Sequence, residues 1–381
     1  MSNTALPRQA GSGEAADPSA TFMITVARTA DEAAHQTVEW QELADHRADP
    51  NIFFEPWCLL SALDHFGNGQ DTSIVFVRDA ERALVGVFPI ERRSSYHGLP
   101  MPHLVAWRHQ HQFLAAPLVD RACAPQVWRS FLAWARREGA CFVDLPDMPA
   151  DGRSAAALRI VASKKILVVD TFDRAMLLRD AATAQGYIDS STSAGSRKDC
   201  RRLMRRMAEQ GRLEVRSLQQ GADPREWIEG LLMLEAAGWK GRDGTAMASD
   251  PAAAAFFRTM ATAAHSREAL HMAGLFMDGR PAALQCNFFA RGQGFAFKVA
   301  FDERWAAFSP GVLLEVEAIR DFYLRPGFVS IDSCTGPNHP LMGRIWRGVR
   351  RIDRLRVATN ARGAGLLALQ GRLRPRMGVL S

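Results

Sequence analysis

The chain has 381 residues, 47% apolar and 23% charged, enough to bury a sizeable core in one or two domains. No apolar run approaches the ~18–20 residues of a bilayer span, and the start lacks the basic-then-apolar pattern of a secretory signal, so a cytoplasmic location is expected. The net charge of +6, carried mostly by arginine, favours anionic partners: phosphates, CoA-like cofactors, acidic lipids or nucleic acid.

Residues 1–20 are Ala, Ser, Gly and Pro with scattered charges and read as a disordered tail. Periodicity then gives a mixed α/β pattern. Residues 56–66 are helical. SIVFVRD and ALVGVFPIERR form a hairpin that turns at Asp79 to Arg82. Residues 124–138 form a helix with Trp128, Phe131, Leu132 and Ala135 on one face, and ACFVDLP, residues 140–146, is a buried strand. A boundary is expected near 180–195, where small polar residues dominate.

The second half repeats this order. A basic helix at 197–207 is followed by a turn-rich stretch at 234–249 and a helix at 251–264. LHMAGLFMDG and PAALQCNFFARG pair through Asp278-Gly279-Arg280. GFAFKVAF adds a strand, residues 310–324 a helix and residues 327–333 a last strand. FVRDAERALVGVFPI resembles LFMDGRPAALQCNFF, and GACFVDLPDMP resembles GFVSIDSCTGP, which sets Asp144 and Asp332 at matching strand ends. Two likenesses in the same order predict an internal duplication. The expected units are residues 21–185 and 186–360, with a basic tail at 361–381 that can touch a membrane surface.

None of the six cysteines forms a C-x-x-C pair, which predicts free thiols. His103, His109 and His111 cluster in sequence with no acidic or thiol ligand beside them, so no metal is expected.

Four segments carry candidate chemistry. Ser309-Pro310-Gly311 opens a helix just after a strand, with Ser309 as N-cap and Pro310 at the first helical position. Its free N–H groups and dipole favour a phosphate there, near Gly311 and Val312, and Arg304 can add a charged contact. In the basic helix, Arg197, Arg201 and Arg205 are spaced by four, opposite Cys200, Leu203, Met204 and Met207. A charge run is most often a solvated face, but this density also suits an acidic substrate, a cofactor phosphate or a membrane. Trp239, Lys240 and Arg242 occupy a loop able to face substrate. Asp332 ends a strand, where open α/β sheets meet ligands; it and His339 are candidate bases, with Lys298 and Glu315 behind them.

The segments E-A-A-G-W-K-G-R-D-G-T-A, F-D-E-R-W…S-P-G and I-D-S-C-T…H-P…W, after a Ser/Thr-rich boundary and a basic stretch, resemble the CelD/BcsL-type acetyltransferases. These belong to the GNAT superfamily and are related in architecture to the FemABX aminoacyltransferases. The resemblance covers residues 186–350. It implies two tandem GNAT-like domains and acyl transfer from acetyl-CoA or another acyl-CoA. The 310–324 helix would hold the pyrophosphate, and the Lys298 strand would splay from the Asp332 strand to admit the thioester. An amine would attack directly, helped by a base and by backbone N–H groups. The Q/R-x-x-G-x-G/A phosphate loop of simpler GNAT enzymes is absent, and Ser309-Pro310-Gly311 stands in its place. The expected function is N-acylation of an amine on a small molecule, sugar, lipid or envelope precursor. The alternatives are a FemABX-like transferase using aminoacyl-tRNA, and a non-catalytic accessory protein of exopolysaccharide (cellulose) synthesis.

Overall fold

A computed structural model of the chain describes residues 22–67, 71–337 and 342–373. The first half runs β1 (Met23–Ala27), α1 (Ala30–Ala34), α2 (Thr37–His46), α3 (Pro56–Phe66), β2 (Thr72–Arg78), β3 (Leu84–Arg93), β4 (His103–Ala106), β5 (Leu118–Val119), α4 (Ala124–Arg137), β6 (Phe142–Pro149), α5 (Arg153–Ala162) and β7 (Ile166–Leu178). Two helices follow, α6 (Ala184–Ser191) and α7 (Ala194–Ala208). The second half runs β8 (Leu213–Ser217), α8 (Arg225–Ala237), α9 (Trp239–Arg242), α10 (Pro251–His265), β9 (Leu270–Met277), β10 (Arg280–Ala290), β11 (Gln293–Phe301), α11 (Pro310–Tyr323), β12 (Ser330–Asp332), α12 (Met342–Ile345), β13 (Gly348–Ala358) and α13 (Ala361–Leu373).

Local chemistry accounts for most of these elements. Asp250 accepts from the Ala252 N–H ahead of Pro251, which starts α10. Val127, Trp128, Phe131, Trp134 and Ala135 repeat at helical spacing and form the buried stripe of α4. The β9–β10 turn places Asp278 and Gly279 at positive φ, 50° and 79°, as its sequence requires. Within residues 180–195, where a boundary is expected, Thr183 caps the helix α6, which buries Tyr187 and Ile188. The polar residues there cover the outer face of a helix that the inner two anchor.

The strands join in one mixed sheet, β1-β2-β3-β4-β6-β13-β7-β12-β11-β10-β9-β8, with β5 on the side of β3. The order is near-symmetric about its centre. In both halves an antiparallel hairpin leads to a strand that pairs in parallel with the one after the crossover: β4 with β6, and β11 with β12. The parallel pairing ends at equivalent residues, Val105↔Asp144 in one half and Phe295↔Asp332 in the other. The closing strands are exchanged. β7 pairs with β12 of the second half, β13 pairs with β6 of the first, and the two pair with each other. This exchange ties both halves into one sheet, setting arginines of β7 and β13 against Asp332 at the end of β12, and two of β13 against Asp144, which lies inside β6 rather than at the expected strand end.

Among the described residues, no helix is long and apolar enough to cross a membrane.

Candidate functional site

β11 and β12 pair in parallel over three residues, ending at Phe295↔Asp332, while β11 runs on to Phe301. Past that point β12 gives β11 no partner, so the strands part. A bulge marks the same place: Cys286 faces Lys298 and Asn287 faces Ala296, which leaves Phe297 as the extra residue. The gap is therefore bordered by β11 backbone that is free of a ladder on one side.

On one face of the gap stands α11. Its first turn begins at Ser309, held at φ 52° and ψ 53°. The hydroxyl makes no capping bond; the Ser309 carbonyl accepts from the N–H groups of Val312 and Leu313 instead. The N-cap role expected for this side chain is thus replaced by a strained left-handed backbone, a conformation that recurs at functional turns. A Cβ on Gly311 would meet only Phe301, at 3.8 Å, so packing alone does not demand glycine there.

Beside this turn lies a cavity of about 340 Å³ between α6, α7, α11 and α12. Ile188, Val312, Val316 and Ile345 form its apolar wall; Ser193, Ser196, Arg197, Arg201 and Arg320 bring hydroxyls and positive charge. Arg197 is committed to Asp189 and the Thr192 carbonyl, and Arg320 to Glu317. Arg201 has no ionic partner among the described residues and is exposed. The apolar stripe expected on the basic helix is present, since Met207 is buried and Cys200, Leu203 and Met204 pack beside it. Val312, Val316 and Ile345 belong to the same apolar cluster as Ala296 and Ile331, which flank the gap. The apolar cavity wall and the flank of the gap thus belong to one cluster.

On the other face, Lys298 leaves β11 toward α8. Its ammonium is 3.5 Å from Glu235, which also receives Lys240 at 2.9 Å and the Met247 N–H at 2.8 Å. Burial lowers the Lys298 pKa against the pull of Glu235. Burial pushes the Glu235 carboxyl up, but Lys298, Lys240 and the Met247 N–H outweigh it and the net shift is down. The first half contributes His109 and His111, pushed down to about 3 and about 4, first by burial, so both are neutral at pH 7. Phe113 of the same loop packs on Phe297.

Several residues singled out from sequence have other roles here. Asp332 is buried between two guanidiniums, Arg350 at 3.0 Å and Arg174 at 3.5 Å, and accepts from the Cys334 N–H at 2.8 Å. Both carboxylate oxygens are thus taken up within the protein, and Asp332 clamps β7, β12 and β13 together. Asp144 repeats the arrangement with Arg354 and Arg356. Arg304 is exposed and folds back on Asp302, away from the cavity lining. Arg205 is exposed beside Glu209 and also does not line it. Cys334 is buried, and burial raises its thiol well above the usual range, which removes it as a nucleophile. His339 lies outside the described residues.

Trp239, Lys240 and Arg242 do come together, on α9. Arg242 makes a bidentate pair with Glu303, and the Trp239 N–H donates to the same carboxylate at 2.8 Å. Two sequence motifs, W-K-G-R and F-D-E-R-W, therefore meet in space as mutual partners. Trp239 keeps half its surface exposed at 54%, free to face a ligand. The glycine between them is a packing requirement: a Cβ on Gly241 would lie 1.7 Å from the Ala236 carbonyl oxygen. Gly241→Ala is expected to lower stability by about 1–3 kcal/mol, read from the urea midpoint; an unchanged midpoint would show that α9 shifts freely.

Comparison with known proteins fits this geometry. Residues 194–339 match the family model described as an acetyltransferase (GNAT) domain. No curated protein matches the chain. Among solved structures, FemX is similar at 10% identity and TM-score 0.54, over 83% of this chain and 95% of that one. The C-terminal domain of a putative lysylphosphatidylglycerol synthetase from Agrobacterium fabrum is similar at 13% identity and TM-score 0.52, over 89% and 96%. L-PGS from Bacillus licheniformis follows at 14% and 0.50, over 88% and 96%. These identities speak to fold alone. Residues 194–339 are thus similar to a GNAT acetyltransferase domain, within a mixed α/β fold similar to that of FemX.

Proposed function

We propose that the protein is an N-acyltransferase that moves an acyl group, acetyl in the simplest case, from acyl-CoA to an amine. The observation that carries this reading is the cavity beside α11, whose apolar wall belongs to the same cluster as the flank of the β11–β12 gap. Its residues suit the donor: an exposed cation at Arg201 for a phosphate, and an apolar wall for the pantetheine arm. The acyl carbonyl would enter the gap at the β11 bulge, and the amine would approach from the Lys298 side. Lys298 would donate to the carbonyl oxygen as negative charge grows on it. The acceptor we favour is an amine on a sugar, lipid or envelope precursor, in keeping with the CelD/BcsL-type resemblance and its link to exopolysaccharide synthesis.

Calorimetry with CoA and acetyl-CoA, followed by a thiol-release assay, tests the reading. Val316→Trp fills the cavity without touching the Lys298 side, and is expected to weaken acetyl-CoA binding by more than about tenfold, roughly one lost charge-assisted contact. If neither acetyl-CoA nor longer acyl-CoAs bind the unaltered protein, the reading fails.

The fold shared with FemX and the dense charge of α7 favour a second reading, aminoacyl transfer from tRNA. It requires tRNA binding that weakens steeply with salt, together with aminoacyl transfer.

A further inference from the structure

The sheet ends at β8, which pairs with β9 alone among the described residues. The register sets Glu214 against Phe276 and Arg216 against Gly274. At one end the Asp278 N–H donates to the Arg212 carbonyl, and at the other the Leu218 N–H donates to the Met272 carbonyl. Bonded pairs alternate along an antiparallel ladder, so Arg212, Glu214, Arg216 and Leu218 turn their backbone groups to β9. Leu213, Val215 and Ser217 therefore turn theirs outward. The Ser217 carbonyl is met there by the Gln219 side-chain amide at 3.0 Å. Val215, in the middle of the strand, keeps half its surface exposed. On the Arg216 side a groove of about 500 Å³ lies between β8 and α8, lined by Trp227, Met233, Phe276 and Leu284.

An open edge is a template for another strand. Charges on an edge can repel other strands, and a row of one sign does so in every register. β8 instead alternates its signs: Arg212, Glu214 and Arg216 share one face. Glu214 is paired with Arg212 and Arg216 of its own strand, and the Arg216 guanidinium also lies over the Phe276 ring, 4.8 Å from its centre. The Glu214–Arg216 pair is thus held against the sheet beside the open edge.

Consider two copies of β8 meeting antiparallel. The registers that join outward groups to outward groups, and overlap most of the strand, centre on Glu214, Val215 or Arg216. The first sets Glu214 against Glu214, and the last sets Arg216 against Arg216. Centring on Val215 sets Glu214 of each copy against Arg216 of the other, Val215 against Val215, and Leu213 against Ser217. Like charges directly opposite are unfavourable, while opposite charges and β-branched pairs are favourable. The same register engages all 5 residues of the strand.

We propose that two copies of the protein form a two-fold dimer through β8 in the Val215-centred register, joining their sheets edge to edge. Val215 sits at the two-fold axis and exchanges both backbone hydrogen bonds with its counterpart. The Leu213 N–H of the second copy takes the place of the Gln219 amide on the Ser217 carbonyl. Glu214 and Arg216 of both copies close a ring of alternating charge. This interface does not depend on the acyltransferase reading, since β9 and β10 stand between β8 and the gap at β11.

Sedimentation equilibrium of the full chain over a concentration series tests the proposal. The expected species is a dimer of the 42.1 kDa chain that weakens as salt rises. V215P removes an outward N–H and leaves the β9 ladder whole, so it is expected to be monomeric with an unchanged far-UV spectrum. E214R and R216E each set like charges opposite one another and should weaken the dimer by about tenfold or more. The double variant E214R/R216E restores the alternation with signs reversed and should recover the dimer. Mixing the E214R and R216E proteins should give a heterodimer tighter than either homodimer. A wild-type protein that is monomeric at the highest concentration reached overturns the proposal. So does a dimer that V215P and the charge variants leave intact, because its interface then lies elsewhere. If V215P fails to fold, the mixing experiment decides alone: no gain on mixing overturns the register and the dimer built on it.

Discussion

Replacing Asp332 by Asn is expected to lower the unfolding free energy by about 3–5 kcal/mol. The reason lies in what remains behind. Arg174 and Arg350 are buried or nearly so, and both lose their shared anion. Arg174 still donates to the Thr335 and Phe113 carbonyls, but its charge would stand uncompensated in the sheet. The loss should appear as a lower urea midpoint. Asp144→Asn should do the same, because Arg354 and Arg356 surround it in the equivalent place. Replacing Asp332, Arg174 and Arg350 together by apolar residues of similar volume should restore much of the stability, since the penalty comes from the broken set. A D332N protein that unfolds like the wild type but has lost turnover would return Asp332 to the role of a base.

Lys298→Met is expected to reduce kcat by about 10²–10³-fold, the usual loss for one donor to a developing oxyanion, with acetyl-CoA affinity nearly unchanged. Folding should suffer little, because Glu235 keeps Lys240 and the Met247 N–H as partners. The pH dependence has a definite sign. The ammonium form is needed, and burial lowers its pKa below the ordinary lysine value, so activity should fall as pH rises through that lowered pKa. Glu235→Gln removes the anion that supports the charged form and should bring the fall to still lower pH. A K298M protein with wild-type kcat would place the carbonyl elsewhere than at the β11 bulge.

The sequence alone made much of the architecture legible. Hairpins with good turns, the amphipathic α4 and α10, the α11 start and the basic α7 all carry local signals of period and capping, and they lie within three residues of expectation. β7 and β13 carry no such signal. They interleave charges such as Asp170, Asp173, Arg350 and Arg354 with apolar residues, because their neighbours in the sheet are each other and the strands that carry Asp144 and Asp332. A strand whose polar residues are satisfied across the sheet does not look like a strand in isolation.

The site divides in the same way. Ser309, Gly311, Val312 and Arg201 were identifiable because a helix N-terminus and a four-residue charge spacing are properties of consecutive residues, and three dimensions bring Val312 and Arg201 to one cavity. Asp332 was identifiable as a strand end but not as a clamp, since Arg174 stands 158 residues away in sequence. Glu315 was identifiable only as a lesser base candidate, an acidic residue on the helix that follows the phosphate-friendly turn. Its isolation and its Trp346 bond exist only once α12 closes on α11. What the sequence by itself determined was the kind of each element and the phosphate-friendly turn, because these follow from neighbours along the chain. Which arginine meets which aspartate, the exchange of β7 and β13, and which carboxylates are buried alone were decided by the tertiary structure. Charge compensation and burial depend on residues that only long-range strand pairing brings together.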